Sequence, residues 1–459
     1  VETFDVIIVG SGIAGLRSAV ACKENGLNVL VLEKMNTLGG NTNLSDGGVA
    51  AANTDLQEKH GIVDSDKSMV NDMLKAGKGL NDEALVRLIV THAKEAFYWT
   101  RSIGVPYMDR VDIFGGHSLP RCYTPESLSG RTMIEKSKAL FCSLGGHVKT
   151  NTYVSGLLMD DNGRISGVKA LYPYRFKKPL PENEVLYQAT KGVIIASGGF
   201  SADVVFRQAH VSILDDGLDT TNIASATAEV LKATYALGGD TLHLNQISLA
   251  PWTSPDEKGF GDGPKFADYV ALPKGILVDP NTSTRFTNEL ADRKTISNAI
   301  LKLGHPAIAI ADALAVSSSK MALEKALKKD VVRRFDTFEQ MSDAYAMDSF
   351  TLKNTIDQFN HYVENALDEA FNKPLVEAKR IMKSPFYAMR IWPKVHYTMG
   401  GLRINEHAQV LKKDGSIIEG LYAAGEVTGG IHGASRLGSL GLTDCLVMGS
   451  IAAKTLIDA

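Results

Sequence analysis

Two stretches of the 459-residue chain hold residue types whose spacing could do chemistry. One is KVHYTMGG, Lys394 to Gly401. His396 could bind a carboxylate or shuttle a proton, because imidazole changes charge near neutral pH; a satisfied core histidine would look the same in sequence. Gly400 and Gly401 let a backbone come very close to something else. The other is GSGIAG, in which Gly10, Gly12 and Gly15 form GxGxxG. That spacing supplies a tight turn, room for a pyrophosphate, and close helix–strand packing. The helix N-terminus that follows offers free N–H groups to phosphate. A bare glycine-rich turn is the alternative. The flanks decide: Asp5 to Val9 reads as a buried parallel strand, and Glu33 ends a second strand where an acid can accept a ribose hydroxyl. The full strand–turn–helix–strand frame predicts dinucleotide binding.

The elements that must position these residues are legible in outline. The length suits two or three domains with a large core. A net charge of −3 gives no global field for nucleic acid. No unbroken apolar run of membrane-spanning length is apparent, so no membrane span is expected. Cys22, Cys122, Cys142 and Cys445 form no CxxC or CxxCH, so no metal, haem or iron–sulfur site is expected. LGGNTNLSDGG, from Leu38, is too glycine-rich for a helix and could lay main chain on a flat ligand or form an exposed turn. Residues 60–150 look helical and mixed, with a helix start at Asn81 or Asp82. GGHSLPRCYTP, Gly115 to Pro125, reads as a loop carrying His117 and Arg121, with a polar surface loop as the plain alternative. Residues 146–172 read as a β-meander turning at DDNGR. KGVIIASGG is another buried strand ending in glycines. PWTSPDEKGFGDGPKF marks a boundary or hinge. The glycine-rich closing segment should fray unless it wraps a ligand.

Taken in order, GSGIAG, Glu33, GGNT…DGG, ASGG, NELADRKTIS, HYTMGG and AAGEVTGGIHGASRLGS resemble the flavoprotein subunit of the fumarate reductase and succinate dehydrogenase family. The similarity is closest to the flavoprotein part of the soluble flavocytochrome c fumarate reductases and spans nearly the whole chain. It implies an α/β fold: a Rossmann-like FAD-binding domain, residues 1–248 and 394–459, with an inserted α+β capping domain, residues 249–393. The active site is expected where cap meets flavin, with a cap that swings. FAD is the implied cofactor, surrounded by Gly10, Gly12, Ile13, Ala14, Gly15, Glu33, Lys34, Gly39, Gly40, Asn41, Thr42, Gly47, Gly48, Ala196, Ser197, Gly198, Gly425, Glu426 and Leu442. Family members that tether FAD covalently use a histidine in the GG…DGG loop. Here that position is Asn41, so FAD should be non-covalent.

The resemblance also implies the chemistry: a hydride from flavin N5 to one carbon of a polarised C=C bond, and a proton to the other. His396 and Arg436 would hold a carboxylate, with Gly400 and Gly401 letting main chain lie against the flavin. Arg293 matches the proton donor, and Asp268 falls near the acidic relay position. The family's second relay arginine would fall near Ala271, so the relay is altered. At NQISLAPW the family's carboxylate-gripping His-Pro is replaced by Ala250 and Pro251, followed by Trp252. An apolar wall there would cost a second carboxylate several kcal/mol, on the order of its lost hydration. The expected substrate is therefore an unsaturated monocarboxylate of acrylate, methacrylate or aryl-acrylate type. Alternatives are fumarate reduction proper, a dehydrogenase or oxidase running in reverse, and an electron-transfer flavoprotein that docks a cytochrome. Retention of Arg293, His396 and Arg436 argues for acids over steroids. A separate c-type cytochrome subunit is the expected electron donor. With Val1-Glu2 where a Met would begin, the resemblance sets a periplasmic expectation.

Overall fold

The run DVIIV lacks polar alternation because both faces of its strand are covered. In a computed structural model describing residues 2–459, Val6, Ile7 and Ile8 are wholly buried, as a central parallel strand requires. Strand Glu2–Val9 lies between Val29–Leu32 and Glu184–Ile195 and runs parallel to both. The sheet continues to His147–Lys149 on one side and to Ile417–Ala423 and Gln409–Leu411 on the other. Tyr153–Met159 and Ile165–Leu171 form an antiparallel hairpin attached to Glu184–Ile195. Its turn is DDNGR, where Asp160 accepts the amides of Asn162 and Arg164. The expected meander therefore starts one strand later than the sequence suggests: His147–Lys149 is a parallel strand of the main sheet.

Helix Ile13–Glu24 packs on the closing helix Leu440–Asp458. Gly449 makes that contact possible, since a Cβ there would lie 2.6 Å from the Ala14 carbonyl oxygen. Ser18 donates to the carbonyls of Ala14 and Gly449. The closing helix is long and apolar enough to cross a membrane by length and composition. Thr443 and Asp444 interrupt its apolar run, yet both are buried with Leu446, Val447 and Met448, so the apolar residues serve a core. Helix Glu83–Ser102 begins at Asp82, which caps the amides of Ala84 and Leu85.

The chain divides into two compact units. The larger holds the chain up to Asp215, Asn222–Ile247 and Tyr397–Ala459; the smaller holds Asp216–Thr221 and Ser248–His396. The short piece Asp216–Thr221 carries no composition signal that would assign it to the smaller unit. That unit is built on a five-stranded antiparallel sheet in the order Thr284–Arg285, Ile276–Asp279, Ala307–Asp312, Phe386–Ile391, Val332–Phe335. Both faces are covered. Ala307, Ala309 and Ala311 join one apolar cluster, and Ile308 and Ile310 the other, as a two-residue repeat demands.

Candidate active site

The turn from Gly10 to Gly12 joins the first strand to helix Ile13–Glu24. Gly10 has φ +106°, and a Cβ there would lie 2.3 Å from the Ala196 carbonyl oxygen. At Gly15 a Cβ would lie 2.1 Å from the Gly10 carbonyl oxygen. The protein's own packing dictates both. Gly12 differs: its φ is −62°, and an added Cβ would meet only Thr42 Oγ1, at 3.9 Å. The space beside it is left for a ligand. Gly12 is the N-cap and has no side chain to cap with, and the first turn carries no acid. The amides and positive dipole end there suit a pyrophosphate.

This turn opens on a cleft. Gly10, Gly12, Ile13, Ala14, Glu33, Lys34, Gly40, Asn41, Thr42, Ala196, Ser197, Gly198 and Glu426 all line it. Gly39, Gly47, Gly48 and Gly425 are occupied with protein neighbours instead: Gly47 packs on Gly130, Gly48 on Ser439, and Gly425 between Ala14 and Cys445. Leu442 is half-buried in the closing helix. Sequence reasoning missed Ser11, the hairpin start Thr152–Val154, and the 225–229 segment, which line the cleft as well. Ser11 could have been found as the residue between the first two glycines; the 225–229 segment carries no motif.

Glu33 is fixed by three bonds. Its Oε2 accepts Ser11 N at 3.1 Å and Ser11 Oγ at 2.6 Å, and its Oε1 accepts Met35 N at 2.9 Å. A carboxylate has about four acceptor positions, which leaves capacity for a ribose hydroxyl. Glu426 Oε1 accepts Thr398 N at 3.0 Å and Thr398 Oγ1 at 3.3 Å. Burial pushes its carboxyl up to about 7, against the bonds from Thr398 and Asn41 and the charge of Arg436. Asn41 Oδ1 accepts Ile223 N at 2.9 Å, so its amide nitrogen is the end that serves Glu426.

In the smaller unit, three residues read separately from sequence meet around one indole. Trp252 is buried beside the fully buried Ala250. The Arg293 guanidinium lies over the Trp252 ring, with Cζ 4.6 Å from the ring centroid. The His396 ring stands edge-on to the same indole at 5.6 Å and 74°, and its Nδ1 is 2.8 Å from Thr221 Oγ1. Arg293 opens helix Arg293–Leu303, whose start is fixed by Asp292 accepting the amides of Lys294 and Thr295. Asp268 sits exposed on the π turn Ala267–Ala271, and Ala271 is wholly buried among apolar residues.

Arg436, in the larger unit, lies over the Tyr397 ring at 4.5 Å and donates from Nη1 to the Leu437 carbonyl at 2.9 Å. The Tyr397 hydroxyl is buried without a hydrogen-bond partner among the described residues, and burial holds its pKa well above the ordinary value. Gly400 and Gly401 pack on protein main chain. Their Cβ positions would fall 2.2 Å from the His243 carbonyl oxygen and 2.0 Å from that of Val427. Close approach of protein main chain requires glycine at both positions.

Residues 5–442 match the FAD binding domain family. The chain is 38% identical to the acrylate reductase flavoprotein subunit of Shewanella woodyi, over 99% of this chain and 91% of that protein. It is 31% identical to a fumarate reductase (cytochrome) of Shewanella frigidimarina, over 99% of this chain and 77% of that one. The solved open conformation of a flavocytochrome c3 fumarate reductase superposes with a TM-score of 0.84 at 28% identity, covering 100% of this chain and 78% of that one. The cleft fits what these proteins carry: an uncapped helix start, an unfilled space beside Gly12, and an acid at the end of the second strand. The chain belongs to the FAD binding domain family, within the fumarate reductase and succinate dehydrogenase flavoproteins, and FAD is its cofactor.

Proposed function

We propose that this chain reduces the C=C bond of a small α,β-unsaturated monocarboxylate of acrylate, methacrylate or aryl-acrylate type. FAD, when bound and reduced, supplies the hydride. The observation that carries the monocarboxylate reading is the indole of Trp252 beside the buried Ala250, where a dicarboxylate would need a second polar grip. Desolvating that carboxylate without a partner costs several kcal/mol, by order of magnitude. Likeness to a protein named acrylate reductase flavoprotein subunit supports the same choice.

His396 and Arg436 hold the substrate carboxylate. Thr221 Oγ1 fixes the His396 ring through Nδ1. Arg436 offers a planar fork suited to two parallel bonds. Arg293 donates the proton. Arginine is ordinarily never deprotonated, so it must recover its proton as it gives one; Asp268 is the proposed source. Ala271 stands where a relay arginine is expected, so the return path differs from the family pattern. FAD is held without a covalent bond, because a carboxamide at Asn41 is no nucleophile. Electrons come from a separate c-type cytochrome, and the proposed compartment is the periplasm.

The test is anaerobic reoxidation of chemically reduced protein by fumarate, acrylate, methacrylate, cinnamate and urocanate, repeated with Arg293→Ala. Rapid reoxidation by a monocarboxylate, lost in the variant, is expected. Fumarate as the best oxidant would overturn the one-carboxylate reading. Reoxidation by none of the acids would favour an electron-transfer flavoprotein.

A further inference from the structure

The GGHSLPRCYTP loop is built around a buried charge network. Arg121 is fully buried. Its Nε and Nη2 donate to the two oxygens of Asp64 at 2.8 and 2.9 Å, and its Nη1 donates to Asp72 Oδ2 at 2.5 Å. Asp72 also accepts from the amide and hydroxyl of Ser118, at 2.9 and 2.8 Å. The loop is thus pinned on the C-terminal side of His117.

His117 is itself buried. Its Nδ1 lies 3.3 Å from Arg121 Nη1, and its Nε2 lies 2.8 Å from the Gly438 carbonyl oxygen. Guanidinium nitrogens only donate, so Nδ1 must accept. The ring proton is then on Nε2 and is donated to Gly438. Burial, first of all, pushes His117 down to about 4, which agrees with a neutral ring of fixed tautomer. Gly438 is two residues beyond Arg436, and the residue between them, Leu437, accepts Arg436 Nη1.

The same loop grips this turn elsewhere. Gly438 N donates to the Gly115 carbonyl at 3.0 Å. A Cβ on Gly438 would lie 2.5 Å from Phe114 Cβ, and one on Gly116 would lie 2.5 Å from Leu437 Cδ2. The Arg436 turn therefore has little freedom of its own.

From this geometry we infer that His117 is a positioning residue for Arg436, and so for the carboxylate of the substrate. The inference rests on the reading of Arg436 as a carboxylate-holding residue. Gln can reproduce both roles of this imidazole, accepting from Arg121 and donating to Gly438, whereas Leu reproduces its bulk and neither bond.

The test compares the wild-type holoprotein with His117→Gln and His117→Leu. Two readouts are used: steady-state KM and kcat with acrylate, and flavin difference spectra on titrating the saturated acid propionate. The expected result for His117→Leu is a propionate Kd and an acrylate KM each raised about tenfold or more, with kcat changed less. FAD content and far-UV circular dichroism should be unchanged, and His117→Gln should stay within about threefold of wild type. Equal propionate affinity in His117→Leu and wild type would overturn the positioning role. So would a matching loss in His117→Gln. If His117→Leu fails to fold, His117→Gln and Ser118→Ala decide. Ser118→Ala removes one of the bonds that pin the loop, so it should weaken propionate binding by a smaller factor, and affinity unchanged in Ser118→Ala would then count against the inference. Absence of any response to acids in the wild type would instead sink the proposed function, which keeps the two failures apart.

Discussion

The glycines of the first turn are alike in sequence and separable by substitution. Gly10→Ala forces a Cβ to 2.3 Å from a carbonyl oxygen at φ +106°, so apo-protein stability should fall by several kcal/mol, as strain and overpacking together require. Gly12→Ala meets nothing closer than 3.9 Å in the protein. Its apo melting temperature should stay within about 1 °C of wild type, a shift too small for any real stability change, while FAD affinity falls at least tenfold. Isothermal titration with FAD and melting of both apo variants would check this; a Gly12→Ala protein that binds FAD normally would refute it. Glu426 gives a prediction in pH. Its carboxyl sits at about 7 in the folded protein against an ordinary 4.5, so the folded state favours the protonated form. That stabilisation is complete below about 4.5 and lost as pH rises through 7. Apo wild type should therefore lose melting temperature relative to Glu426→Gln between pH 5 and 8, and parallel curves would contradict the assignment. The GxGxxG turn and Glu33 were legible because one local motif sets their geometry. The raised carboxyl was not, because Glu426 is buried only in the folded chain, where burial outweighs the bonds from Thr398 and Asn41 and the charge of Arg436.

At the scale of elements, caps carry much of the order. Asp312 ends a strand and caps helix Ala313–Ser319 through the Ala315 amide, and it also accepts the amides of Met382 and Lys383 at 3.1 and 2.9 Å. Asp312→Ala leaves three donors without it and should cost about 2–4 kcal/mol, measured by urea unfolding; a loss below about 0.5 kcal/mol would mean that water replaces it. Helix Glu83–Ser102 and the DDNGR hairpin were readable in sequence because a cap and a turn announce them. His147–Lys149 was not, since three residues show no period. For GGHSLPRCYTP a polar surface loop stayed open as an alternative, because its charged residues are intelligible only with Asp64 and Asp72, about fifty positions away. Trp252, Arg293 and His396 were each singled out, but their meeting around one indole depends on the fold of the smaller unit.

Across the whole molecule, the cofactor should act as a stabiliser. A ligand that binds only the native state adds about 2.7 kcal/mol at one hundred times its Kd. Melting temperature should therefore climb with FAD concentration, and acid precipitation should release all of the FAD into the supernatant. Flavin retained in the pellet would contradict non-covalent binding at Asn41. The parallel sheet and the two-unit organisation follow the order of motifs along the chain; the exact division does not, because Asp216–Thr221 joins the smaller unit without a sequence signal. One packing contact bears on how the protein is made. Helix Ile13–Glu24 finds its partner in Leu440–Asp458, through Ser18 and Gly449. The ribosome adds about 5–20 residues per second. The nucleotide-binding turn therefore waits on the order of 20–90 s for the helix that completes its core. During that interval the face that meets Leu440–Asp458 lacks its native partner. Cofactor loading thus follows synthesis of Leu440–Asp458, and the nascent chain is a natural client for chaperones that shield exposed apolar surface.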